Sequence, residues 1–183
     1  MGGIAVATLY DPVQCDLESF QNTYVMGPEL WEKFNIDDLE ISIANWGCVK
    51  MMDDQGVGLN EQTATIPNAS GGIYVYIIRP PVIPGCGEYI MYIGKATKTP
   101  NENLRRRVRA YKEQFDDDYT RDKVHRLFFK WGKYVYVRYL PVESTPERIG
   151  ILEDRLIAAL TPPCNPDIRI KSVKRAVKAF NYV

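Results

Sequence analysis

The chain has no pair of cysteines close enough in sequence to share a metal. Its four, Cys15, Cys48, Cys86 and Cys164, are far apart, and none belongs to a Cys-x-x-Cys. That spacing argues against a zinc site and gives no disulfide framework, so a reduced, cytoplasmic compartment is expected. No apolar run approaches the roughly 18 residues that span a bilayer, so no membrane partner is expected. No basic stretch followed by an apolar core opens the chain, and no secretory signal is read there. Internal repeats, low-complexity segments and a clear helix-turn-helix pattern are also lacking. What remains, over 183 residues, has the apolar and charged fractions of one globular domain with an extension.

Basic charge is missing from one part of the chain. From Met1 to Pro67 the only basic residues are Lys33 and Lys50, against eleven Asp and Glu. From Lys95 to Arg138 the sign reverses, with thirteen Lys and Arg against six Asp and Glu. The tail adds Arg169, Lys171, Lys174, Arg175 and Lys178. The formal net charge is zero, yet charge segregated in this way can present a basic face to phosphates.

Residues Leu30 to Phe34, after Gly27 and Pro28, read as a short helix. Leu39, Ile41 and Ile43 alternate with polar residues, the pattern of a strand, and Thr63 to Ser70 reads as a linker. Two β-type runs follow, Gly72 to Ile78 and Tyr89 to Gly94, rich in β-branched and aromatic residues. The turn-rich stretch Arg79 to Glu88 joins them as a long hairpin loop, a lid or DNA-contacting wedge if it lies beside a cleft. Thr99 to Glu102 has the form of a capping box. The helix it opens carries Leu104, Val108, Tyr111 and Phe115 on one stripe. Arg105, Arg106, Arg109 and Lys112 face away from that stripe, whereas Arg107 points toward it.

Asp118 to Thr120 opens a further helix with Val124, Leu127, Phe128 and Trp131 on its stripe and His125, the only histidine, at its edge. Tyr134 to Leu140 alternates as a third strand that Pro141 closes. Thr145 and Pro146 start a helix whose stripe is Ile149, Leu152, Leu156, Ile157 and Leu160. Glu153 falls inside that stripe, where a carboxylate needs a partner: a salt bridge to Arg107, or a metal ion. Asn165 follows a Pro-Pro turn, and Ile170, Val173, Val177 and Phe180 mark a terminal amphipathic helix.

Gly72-Ile73-Tyr74 and Tyr92-Ile93-Gly94, followed in order by Lys95, the Arg-rich helix, Glu153 and Asn165, carry a family likeness. The chain resembles a GIY-YIG nuclease domain over residues 70–167. Residues 1–69 then stand as an acidic N-terminal extension and 168–183 as a basic C-terminal helix. The resemblance implies a small α/β (α+β) fold with a three-stranded, mainly antiparallel sheet flanked by helices. It implies a DNA endonuclease dependent on Mg²⁺ or Mn²⁺ that leaves 5′-phosphate and 3′-hydroxyl ends. On that pattern Tyr74 and Tyr92 point into one cleft, and Tyr74 acts as base on the attacking water with help from Lys95. Arg107 binds a phosphate oxygen, Glu153 holds one metal ion, and Asn165 orients a group in the cleft. Many members carry a histidine where Tyr111 stands here.

Arg105, Arg106, Arg109, Lys171 and Lys174 are the expected contacts to the nucleic-acid backbone. A free-standing chain of this kind resembles restriction or mobile-element enzymes, and a double-strand cut would call for a homodimer. The alternatives are a structure-selective repair or recombination nuclease, and a catalytically inactive nucleic-acid-binding protein on the same fold.

Overall fold

A computed structural model describes residues 22, 24, 26–34, 45–83, 85–116, 122–165 and 167–180. Among them are four strands: β1 (Gly47–Lys50), β2 (Gly71–Ile78), β3 (Tyr89–Ala96) and β4 (Val135–Val142). They form one antiparallel sheet in the order β1-β4-β2-β3. Five helices accompany them: α1 (Pro28–Lys33), α2 (Leu104–Asp116), α3 (Asp122–Trp131), α4 (Pro146–Leu160) and α5 (Lys171–Phe180).

The sheet follows from side-chain alternation. Every residue of β2 is buried, as a strand between two partners and two helical layers must be. Tyr74, Tyr76 and Ile78 face a cluster with Leu104, Val108 and Tyr111 of α2 and Val124, Leu127 and Phe128 of α3. Ile73, Val75 and Ile77 face the opposite cluster, with Ile149, Leu152 and Ile157 of α4 and Val173 of α5. The sheet is therefore covered on both faces by the stripes that helical periodicity marks.

Two glycines of the hairpin are sterically required. Gly72 has φ +149°, and a side chain there would strike the Leu140 carbonyl on β4. A Cβ on Gly94 would occupy the space that the Tyr74 ring fills from the neighbouring strand.

The sheet has four strands where three were expected. β1 pairs with β4, and Met51, Met52 and Ile66 beyond it are buried in the core. Four residues with one buried side chain carry too little alternation to announce a strand. The start of the stretch read as a linker, from Thr63, belongs to a 3₁₀ turn, Glu61–Thr65, capped by Asn60. β4 runs through Pro141 to Val142; β1 ends opposite Tyr139, so Pro141 has a strand on one side only.

Helix α2 begins at Leu104, past the expected box. Asn103 Oδ1 accepts from the Arg106 N–H at 2.9 Å, while Thr99 Oγ1 closes a separate turn by accepting from the Glu102 N–H at 2.9 Å. Thr145 caps α4 as expected, with Pro146 in its first turn. The strand read over Leu39 to Ile43 and the cap read over Asp118 to Thr120 lie outside the described residues, as does the side chain of His125.

Candidate active site

Four tyrosines meet on the α2 face of the sheet. Tyr74 and Tyr76 come from β2, Tyr92 from β3 and Tyr111 from α2. The Tyr111 hydroxyl joins Tyr74 at 2.9 Å and Tyr92 at 3.0 Å, so it is the hub of a three-hydroxyl chain. Tyr76 stands beside it and donates to the Val108 carbonyl at 2.9 Å. The Tyr76 and Tyr111 rings meet edge to face, 5.4 Å between centroids. Tyr74 has no solvent exposure, and Tyr111 almost none. Tyr92 is the half-buried member of the chain, the one nearest to water.

Burial above all pushes the Tyr74 hydroxyl well above its ordinary range, and the neighbouring tyrosines add to the shift. A raised value favours the neutral hydroxyl.

Arg107, one helical turn before Tyr111, turns in toward the same cluster, as its position on the wheel predicts. Its guanidinium lies 5.9 Å from the centre of the Tyr111 ring and 3.8 Å from the Glu102 carboxylate. Burial alone would lower its pKa, but Tyr74, Tyr111 and Glu102 outweigh that and hold it charged. Its Nε is buried without a hydrogen-bond partner.

Lys95 and Glu153 lie on the other face of the sheet. Lys95 pairs across the hairpin with Ile73 and shares the face of Ile93, whereas Tyr92 shares that of Tyr74. Lys95 Nζ reaches Glu153 of α4 at 3.2 Å. Gly150, one turn earlier on α4, leaves room for that ammonium, since a Cβ there would sit 3.0 Å from it. The Glu153–Arg107 salt bridge, one of the two partners considered for that carboxylate, does not form; the pairs are Lys95–Glu153 and Arg107–Glu102. The reason is the sheet, which stands between α2 and α4. Among the described residues no three His, Cys, Asp or Glu side chains cluster as metal ligands, so a cation here would rest on the single carboxylate of Glu153.

Asn165 closes the outer edge of β3. Its Oδ1 accepts from the Ile93 N–H at 2.9 Å, and its Nδ2 donates to the Ile93 carbonyl at 2.8 Å. The Cys164 N–H adds a bond to the Met91 carbonyl at 2.9 Å. The asparagine amide therefore stands in for a neighbouring strand. It reaches the site through β3, whose next residues are Gly94 and Lys95.

The expected phosphate contacts do not form one patch. Arg105, Arg106 and Arg109 belong to α2, and Lys171 and Lys174 to α5 on the opposite face. Lys171 is exposed, and Lys174 pairs with Asp167 at 3.4 Å. The hairpin loop is also remote from Lys95. At about 3.4 Å per residue, the run of β3 from Tyr89 to Lys95 covers roughly 20 Å. Glu88 pins the loop's base to Arg79 and to Arg138 of β4, the latter at 2.9 Å.

Tyr111 and Glu102 are residues to which the sequence reading gave no part in the site. Both were signalled by position: Tyr111 sits one turn after Arg107 on the same helix face, and Glu102 lies just ahead of that helix. No family model matches the chain, and no curated protein or solved structure matches it either.

Proposed function

We propose that this chain is a Mg²⁺-dependent DNA endonuclease of the GIY-YIG type, related in style to restriction or mobile-element enzymes. One observation carries the reading. Two reactive sets flank a single strand of the sheet: the Tyr74–Tyr111–Tyr92 chain with Arg107 on one face, and Lys95 with Glu153 on the other. Each set includes one residue of β3, Tyr92 and Lys95, three residues apart.

Tyr92 is the tyrosine suited to order the attacking water. Its hydroxyl is oriented by Tyr111, and it is the member of the chain that solvent reaches. Tyr74 stiffens that arrangement from below. Arg107 is charged, planar and left with an unused donor, the equipment for gripping a phosphate oxygen. Lys95 neutralises Glu153 in the free protein. Glu153 is the residue that would hold a divalent ion. One carboxylate fits Mg²⁺, or Mn²⁺ in its place, which completes its shell with water and substrate oxygens. Such an ion supplies Lewis-acid polarisation of the phosphate and stabilises the leaving oxygen.

The test is plasmid cleavage with Mg²⁺, beside EDTA and the Glu153→Ala protein. Discrete products lost in both controls support the reading. Cutting that survives either control refutes it.

The complete burial of Tyr74 favours a second reading, a nucleic-acid-binding protein that does not cut. It predicts Mg²⁺-independent binding and no cleavage of linear, branched or RNA substrates. Cleavage of branched DNA alone would indicate a structure-selective nuclease.

A further inference from the structure

The first turns of α2 carry three arginines that the tyrosine cluster does not use. Arg105, Arg106 and Arg109, with Asn68 and Asn103, line a cleft of about 320 Å³. Among the described residues, no carboxylate and no apolar side chain lines it. Among the described side chains, none of these guanidiniums is in an ion pair.

The helix's own leading amides are already taken. The Leu104 N–H donates to the Ser70 carbonyl, the Arg105 N–H to the Pro67 carbonyl, and the Arg106 N–H to Asn103 Oδ1. Recognition in this cleft therefore falls to side chains. Two of them are aimed by backbone oxygens. Arg105 Nε donates to the Ile66 carbonyl at 2.6 Å, and an Arg106 terminal nitrogen donates to the Asn101 carbonyl at 2.9 Å. Each guanidinium has five N–H donors, so most remain for a ligand. Ile66 is fully buried, so Arg105 is anchored to the core.

We propose that this cleft is a phosphate seat for the backbone of a DNA duplex, separate from the reacting centre. The proposal rests on the nuclease reading above and names how the substrate is held. Arginine and asparagine donors suit phosphate oxygens, and among the described residues no aromatic ring lines the cleft for a base to stack on. Arg105 and Arg109 are four residues apart, about 6 Å along a helix that rises about 1.5 Å per residue. Two nucleotides of one strand rise about the same distance, at roughly 3.4 Å each. The same helix presents Arg107 to the tyrosine cluster. One rigid element thus sets the distance between the seat and the bond that is cut, so the seat selects which phosphodiester is presented. Asn68 brings the end of the acidic N-terminal region into this site.

The experiment uses the full chain, EDTA and a labelled duplex, with binding followed by fluorescence anisotropy over a salt series. Arg109→Ala is the first variant, because Arg109 is exposed and its loss leaves the core intact. Arg106→Ala/Arg109→Ala is the second. The slope of log affinity against log salt should fall by about 0.9 for each phosphate that is no longer neutralised. Arg109→Lys should restore most of the slope. Wild-type slope and affinity in both alanine variants would overturn the seat. So would loss of inorganic-phosphate binding with duplex affinity unchanged, which would make the cleft a site for free anions only. Failure of each idea is separable. A chain that binds through the cleft but never cuts ends the nuclease reading alone. A chain that cuts, with a salt slope insensitive to these arginines, ends the seat alone.

Discussion

Replacing Tyr111 by phenylalanine removes one oxygen and keeps the ring. The ring packing against Tyr74, Tyr76 and Tyr92 survives, at centroid separations of 6.1, 5.4 and 5.8 Å. Both hydroxyl bonds of the hub disappear, the 2.9 Å bond to Tyr74 and the 3.0 Å bond to Tyr92. An average hydrogen bond contributes about 1 kcal/mol, and a buried hydroxyl deprived of its partner costs about 1–3 kcal/mol. Tyr74 is fully buried but keeps Arg107 as a neighbour, which limits its penalty. Tyr92 is half-buried and recovers part of its loss from water. The sum is about 2–3 kcal/mol, or a fall in Tm of roughly 5–10 °C for a chain of this size.

Tyr76→Phe is the matched control, because it removes one hydroxyl at the same depth and one bond, to the Val108 carbonyl. It should cost about 1–2 kcal/mol of stability and leave cutting at the wild-type rate. Tyr111→Phe should slow cutting about tenfold at saturating Mg²⁺, roughly 1.4 kcal/mol of lost positioning at Tyr92. Thermal melts and single-turnover cleavage of the two variants decide the matter. Equal melts for Tyr111→Phe and wild type would refute the hub. A larger rate loss in Tyr76→Phe than in Tyr111→Phe would refute the assignment of Tyr92.

Glu88 is held below its usual carboxylate range, first by its hydrogen bond from Arg138 and then by Arg79. Because the folded value is depressed, that stabilisation is present above the ordinary carboxyl pKa of about 4.3 and fades as pH falls through the folded value. Glu88→Gln should lower stability near neutral pH by about 1 kcal/mol, and the difference in melts should close in acid. The hydroxyl of Tyr24 is pushed up to about 12 by burial, and that of Tyr74 is also raised. Raised values favour the neutral form, so this stabilisation is complete below about pH 10 and lost as pH climbs through the folded values. Phenolate absorbance should show a late-titrating fraction among the twelve tyrosines; complete titration near pH 10 would contradict the burial. Gly94→Ala places a methyl group in the Tyr74 ring and should destabilise by about 1–3 kcal/mol through overpacking. A wild-type melt for that variant would mean that Tyr74 does not cross Gly94.

Local pattern determined much of this protein. Alternation and β-branched content announce β2 and β3, and helical spacing announces the buried stripes Leu104–Val108–Tyr111 and Ile149–Leu152–Ile157. These are legible because backbone geometry repeats every two residues in a strand and about every 3.6 in a helix, whatever the rest of the chain does. The inward turn of Arg107 and the half-burial of Glu153 follow from the same periods. So, in principle, does the separation of Tyr92 from Lys95, since an odd step along a strand reverses the face.

Partners were decided only by the folded chain. Four residues at Gly47–Lys50 became a strand because β4 offered them an edge. Glu153 took Lys95 because the sheet keeps Arg107 away from it. Asn165 spent its amide on the edge of β3, and Tyr111 became the hub because α2 lies across Tyr74 and Tyr92. Each of these interactions joins residues distant in sequence, and each contributes only a few kcal/mol at most. Such choices are fixed by which surfaces the whole chain brings within reach, and no local period encodes them.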